Sequence, residues 1–230
     1  MPNVEIPEFW LPRPPFELSP ERLSGFEVIY LTSVQPGEGA CIDLSDMPKW
    51  VFLTWLCEAK GLLLHGSVDH SIQVFEPRTP KARDDDLFSQ QTAVFASGDG
   101  IYPIFYAVLD REHFRPRILS AVLRFALPEG LSDPRYFFSI TDRVLAQHPW
   151  REGTVYVLPP RGFVQQPPYR LGRFVVHDPH FASPSPVRPL AKIRVGLHDF
   201  PFLNQVRAHN DTELVQRFTA DPDGFPWLEV

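Results

Sequence analysis

The sequence predicts a mixed α+β fold with a strand-rich C-terminal two-thirds. Three observations carry that prediction. Trp50, Val51, Phe52, Leu53, Trp55 and Leu56 form an almost wholly apolar stretch that stops at Gly61 and runs straight into Leu62-Leu63-Leu64. From residue 118 onward, short apolar or alternating runs recur between proline and glycine punctuation. The chain has 230 residues, 43% hydrophobic and 13% aromatic with 19 Phe, which is ample material for a packed core.

The elements follow in order. Residues 1–24 are polar and proline-rich and are expected as an N-terminal arm that wraps the surface, leaving 25–230 as a single domain with a C-terminal extension. Phe26-Glu27-Val28-Ile29-Tyr30-Leu31 reads as a strand. Ser45 or Asp46 is positioned to cap a helix running to Lys60, with Pro48 in its first turn and Gly61 as its C-terminal stop. Apolar nearly all round, that helix should be buried. Leu62–Leu64 is a buried strand, Ile72–Phe75 a short one, and 76–91 a polar loop containing Asp84-Asp85-Asp86, read as solvated. Thr92–Ser97 is a strand, Gly98-Asp99-Gly100 a turn, and Ile101–Leu109 a short helix that tolerates Pro103 in its first turn. Strands are then expected at Ile118–Leu127, Tyr136–Ile140, Thr154–Leu158, Phe174–Val176 and Ile193–Val195, and a last helix at Asp211–Thr219.

Composition narrows the function. The formal charge of −6 gives an overall field that repels phosphate backbones, against a generic nucleic-acid binder. Two cysteines, Cys41 and Cys57, offer neither a disulfide framework nor a zinc pattern. No secretory leader or membrane-length apolar run is visible, so the expectation is a cytoplasmic protein without membrane contact. The 26 prolines, about double the average fraction, sit among aromatic and aliphatic residues and imply rigid loops. His177 and His180 lack a third ligand and are separated by Pro179, so no metal site is assigned. Neither a nucleophile elbow nor a phosphate-binding loop is present.

One stretch points to chemistry. Leu62-Leu63-Leu64-His65-Gly66-Ser67 presents an imidazole at the end of a buried strand, followed by a small flexible backbone pair. After it come Ala93-Val94-Phe95-Ala96-Ser97, a helix carrying Tyr102 and Tyr106, and Arg151-Glu152-Gly153-Thr154-Val155-Tyr156. In this order, over roughly residues 60–158, the chain resembles the ADP-ribosyltransferase-like superfamily, specifically the His-Tyr-Glu branch of poly(ADP-ribose) polymerases and the small rifamycin ADP-ribosyltransferases. The resemblance implies a strand-rich split-sheet fold with a few helices, and NAD as substrate. It implies that His65 holds the ribose, the Gly66 backbone meets the carboxamide and Ser67 adds a hydrogen bond. Glu152 would stabilise the positive charge that builds on the sugar as the nicotinamide leaves. The stacking tyrosine of the family falls on Val94 or Phe95, one residue apart and therefore on opposite faces of the sheet. Phe95 keeps an aromatic face without the hydroxyl, and Tyr102 or, better spaced, Tyr106 offers a second ring. Arg78 is the positional candidate for the pyrophosphate, ahead of the group Arg111, Arg115, Arg117 and Arg124. The acceptor (protein, nucleic acid or small molecule) is left open. Two further readings stand beside the transferase: a catalytically degenerate nucleotide-binding member, and a proline-rich interaction module.

Overall fold

The computed structural model describes residues 5–44, 47–80 and 87–228. The expected cap residues Ser45 and Asp46 and the Asp84-Asp85-Asp86 run lie outside the described residues.

Six α-helices and fourteen strands are formed among the described residues. The helices are α1 (Pro20–Ile29), α2 (Lys49–Lys60), α3 (Tyr102–Val108), α4 (Arg111–Phe114), α5 (Asp142–Leu145) and α6 (Asp211–Ala220). The strands are β1 (Leu11–Pro12), β2 (Ala40–Ile42), β3 (Leu63–Ser67), β4 (Val94–Ser97), β5 (Ile118–Leu127), β6 (Gly130–Leu131) and β7 (Arg135–Thr141). They continue with β8 (Gly153–Leu158), β9 (Val164–Gln165), β10 (Tyr169–Leu171), β11 (Phe174–His177), β12 (His180–Ser183), β13 (Ala191–Val195) and β14 (Arg207–His209). They assemble into two seven-stranded sheets. One has the order β1-β7-β5-β11-β10, with β14 beside β7 and β6 beside β5; the other runs β2-β13-β8-β3-β4-β12-β9. The class is thus mixed α+β.

Helices α2 and α3 fill the space between the sheets. One apolar cluster joins Val122, Tyr136 and Phe138 of the first sheet, Phe52, Leu56 and Phe105 of the helices, and Leu64, Val155 and Ile193 of the second sheet. Smaller clusters cover the outer faces: Leu63, Phe75, Tyr156 and Leu158 on the second sheet, and Trp10, Phe125 and Phe137 on the first. Burial of these large aromatics is the main favourable term for the fold.

Gly61 ends α2 as expected, in the left-handed conformation (φ 64°), with its N–H on the Cys57 carbonyl at 3.0 Å. Pro48 stands at the cap position of that helix and not inside its first turn. The buried Asp99 anchors α3: its Oδ1 accepts the N–H groups of Ile101 (2.9 Å) and Tyr102 (2.7 Å), and its Oδ2 accepts the Tyr136 hydroxyl (2.7 Å). Burial pushes this carboxyl up from its ordinary pKa, against the pull of those hydrogen bonds. Gly100 permits α2 to touch the turn, since a Cβ there would lie 2.2 Å from the Thr54 nitrogen.

One expected strand is a helix. Phe26–Ile29 belongs to α1, and Tyr30 and Leu31 continue it as a π turn. The start signal lies upstream of the β-branched pattern: Ser19 caps with its Oγ accepting the Arg22 N–H (3.3 Å), Pro20 follows and Glu21 sits in the first turn. Tertiary packing then fixes the helix, with Phe26 fully buried against Phe52 and Trp55 at 5.0 and 5.5 Å between ring centres. The boundary expected at residue 24 falls inside α1, and Trp10, only 3% exposed, is core rather than a surface arm. The expected strand Ile72–Phe75 is reduced to a single bridge from Phe75 to Val187. Among the described residues no helix is long and apolar enough to cross a membrane.

Candidate functional site

Strand β3 is flanked by β8 along its whole length, His65 opposite Tyr156, Gly66 opposite Val155 and Ser67 opposite Thr154. Its other neighbour, β4, stays in register at one pair only, Leu64 with Ser97. The sheet therefore splits beyond Leu64, and the His65 ring spans the split, its Nδ1 2.7 Å from the Phe95 carbonyl oxygen. A carbonyl only accepts, so Nδ1 carries the proton and donates. Burial drives the His65 pKa down to about 4; the Phe95 carbonyl opposes this, while the charges of Arg111 and Arg78 add to it. At neutral pH the ring is uncharged and Nε2 presents a bare lone pair. The site thus has a fixed acceptor for a hydroxyl.

Side-chain alternation sorts the neighbours onto two faces. Leu64, Gly66, Gly153, Val155, Phe95 and Ser97 point to the helix-covered side. Leu63, His65, Ser67, Thr154 and Tyr156 point to the other. Gly66 is where α3 comes closest: a Cβ on it would stand 1.8 Å from the Pro103 oxygen. Gly153 has the same role, 1.9 Å from the Ala107 oxygen. The glycine of the His-Gly-Ser run is therefore required by the helix, whatever else its backbone meets.

On the open face the loop after β3 is fastened down. The Ser67 Oγ accepts the Asp69 N–H (3.1 Å), and Asp69 Oδ1 accepts from the Ser71 N–H (2.8 Å) and hydroxyl (2.6 Å). The Tyr156 hydroxyl, facing His65 across the ladder, donates to the Asp69 carbonyl (2.8 Å) and accepts the Ile72 N–H (3.1 Å). Lys192 Nζ donates to the His70 carbonyl (3.1 Å). The row Lys192–Tyr156–His65 and the next, Arg194–Thr154–Ser67, cross three strands in register.

The expected site residues are only partly brought together. Arg78 bridges to Ala93, and its charge is felt at both His65 and Asp69. Glu152 is exposed, just before β8, with the parity of Thr154 and Tyr156; it lies four residues beyond the partner of His65, about 13 Å along the strand at ~3.3 Å per residue. Val94 is buried in the outer apolar cluster, whereas Phe95 is half-buried with its ring 5.1 Å from His180. Register puts that ring on the face away from His65. Tyr106 joins Tyr102 and Ser120 in a triangle of hydroxyls, its own at 3.3 and 2.9 Å from theirs. Arg111 covers its ring at 4.9 Å.

Arg111 is the residue that sequence reasoning undervalued. Its guanidinium lies on Tyr106, its charge reaches His65, and its Nε is buried without a hydrogen-bond partner. A positional signal existed, because Arg111 follows the Tyr102–Tyr106 helix directly. A second cluster was missed altogether: the Ser139 Oγ lies 2.6 Å from His209 Nδ1, and His209 Nε2 lies 3.4 Å from Asp211 Oδ1. It has the composition of a hydrolase triad, but Ser139 is fully buried and its hydroxyl is also 3.2 Å from the Arg207 carbonyl. The cluster ties β14 to β7. No family model, curated protein or solved structure matches this chain.

Proposed function

We propose that the chain binds NAD at the split between β3 and β4 and transfers ADP-ribose from it to an acceptor. The observation that carries this reading is the neutral His65, pinned through Nδ1 to the Phe95 carbonyl and packed on the Phe75 ring at 4.7 Å, which leaves Nε2 as an acceptor. Such an atom suits a ribose hydroxyl, which needs a partner that accepts. Glu152 lies on the same face of the adjoining strand, about 13 Å along it from the row of His65 at ~3.3 Å per residue. In this reading it acts on the oxocarbenium-like sugar as a negative charge from the far end of the site and not as a second contact to the hydroxyl held by His65. Arg78 and Arg111 bring positive charge toward the pyrophosphate. Nicotinamide leaves with the bonding electron pair, a lone pair of the acceptor nucleophile forms the new bond to the sugar carbon, and the acceptor's proton passes to solvent.

The test is nicotinamide release from NAD, followed for the wild type and for Glu152→Ala. The expected result is a fall of at least about 100-fold in the variant, the scale of losing one aligned electrostatic partner. Equal rates in the two proteins remove the transferase claim. Absence of calorimetric heat with NAD removes the binding claim as well.

One feature favours the degenerate nucleotide-binding reading. The ring at the family's tyrosine position is Phe95, packed toward His180 and turned from His65. Binding of a nicotinamide analogue without turnover selects that reading.

A further inference from the structure

The start of β8 forms, with the loop after β3 and the end of β13, a concavity of about 200 Å³. His70, Arg151, Glu152, Thr154 and Arg194 line it. We propose that this concavity is a binding site for the phosphate group of a small phosphomonoester. The pocket shares Glu152 with the NAD reading and is otherwise lined by residues to which that reading gives no role.

The floor is Thr154. The residue is 1% exposed, and its Oγ1 is buried with no hydrogen-bond partner. Buried hydroxyls are almost always partnered, so this orphan one, on a residue that lines the pocket, is a hydrogen-bonding group that the chain itself leaves unused. Thr154 sits in the cross-strand row between Ser67 and Arg194. Arg194 is exposed and has no acidic partner among the described residues, whereas Arg151 is only loosely engaged by Asp110 Oδ2 at 3.7 Å. Lys192, the next residue of β13 on this face, brings its ammonium to the His70 carbonyl beside the pocket. Two guanidinium groups and an ammonium exclude a metal cation and match an oxyanion, which takes hydrogen bonds from guanidinium and hydroxyl together. They form a local cationic patch on a chain whose net charge is −6.

Size and the one acidic wall narrow the ligand. The volume is below the roughly 300–1,000 Å³ of sites for drug-sized molecules. Glu152 on the rim repels a bare anion and accepts from a hydroxyl, which favours a phosphate ester bearing hydroxyl groups over free phosphate.

The experiment is a calorimetric titration of the full chain, without NAD, using inorganic phosphate, glycerol 3-phosphate and glycerol as probes. Saturable binding of both phosphates, weakened by added salt, and none of glycerol is expected. Tighter binding of glycerol 3-phosphate assigns the ester as ligand; equal affinity assigns the free anion and overturns the ester. Arg194→Gln, at an exposed position, should weaken binding at least 10-fold, and Thr154→Val several-fold, while Arg143→Ala on α5 leaves it unchanged. Thermal melts establish that each variant is folded. No saturable phosphate binding, or identical affinity in the wild type and Arg194→Gln, overturns the site. Unchanged affinity in folded Thr154→Val overturns the role of the hydroxyl.

Discussion

The two faces of the second sheet are built from the same strands and behave as opposites. On the helix-covered face, Gly66 and Gly153 stand where α3 presses backbone against backbone, and the surrounding Leu64, Val155 and Val157 are buried. On the open face, two residues further or one residue over, the same strands carry His65, Ser67, Thr154 and Tyr156. At Gly66 and Gly153 the first face has no room for an added carbon; the second is an apolar cluster around Tyr156 continued by a polar row in which Thr154 Oγ1 is left unpartnered. The lesson is that a glycine beside a candidate catalytic residue need not serve the ligand. Here the small residue is required by the close approach of α3, independently of anything its polar neighbours bind.

The contrast is broken most severely by adding one carbon on the closed face. Gly66→Ala places a Cβ 1.8 Å from Pro103 O and 3.0 Å from Ala107 N, so the helix must move. A loss of more than about 3 kcal/mol is expected, enough to prevent folding of a marginal domain. Its neighbour Ser67→Ala removes one solvent-edge hydrogen bond and should cost about 1 kcal/mol. Urea denaturation of the pair measures the difference, and similar midpoints would erase the distinction between the faces.

Protonating the open face comes next in size. The folded His65 pKa of about 4 lies below the ordinary value of 6.5, so between these values the unfolded chain binds more protons. Stability from this residue is therefore complete above pH 6.5 and is lost as pH falls toward 4, by up to about 3 kcal/mol at about 1.4 kcal/mol per pKa unit. His65→Gln removes the dependence. Denaturation at pH 7 and pH 4.5 for both proteins isolates the term, because the other titrating groups are shared.

An effect smaller than those at Gly66 and His65 sharpens the role of Tyr156. Its hydroxyl fastens the loop after β3 through Asp69 and Ile72. Tyr156→Phe should cost about 1–2 kcal/mol and speed hydrogen exchange at the Ile72 amide. Unchanged exchange there would mean that the loop is held by its own turns.

Much of the fold was legible because it rests on local patterns. Ile118–Leu127 is β5 to the residue, and the runs at Tyr136, Thr154, Phe174 and Ile193 all found their strands. The α2 stop at Gly61 followed from its glycine, and the helix at Asp211 was expected without its cap, Asn210, whose Oδ1 accepts the Thr212 and Glu213 N–H groups. The strand expected at Phe26–Leu31 failed because β-branched and aromatic spacing outweighed a helix start several residues earlier. The candidate site was less legible. Gly153-Thr154-Val155-Tyr156 does alternate, and that alternation carries the polar face, but nothing local links Thr154 to Arg194 or to Ser67.

The sequence by itself determined the periodicity of most strands and of α2, α3 and α6, the glycine that ends α2, and an imidazole directly after a buried apolar run; it did not place His65 inside the strand, since β3 runs on through Gly66 and Ser67. The tertiary structure alone decided the register. It set Arg194, Thr154 and Ser67 in one row, parted β4 from β3 so that His65 could reach the Phe95 carbonyl, and laid α3 against Gly66. The physical reason is that pairing between distant strands is chosen by burial of whole faces at once, a sum that no short window of residues contains.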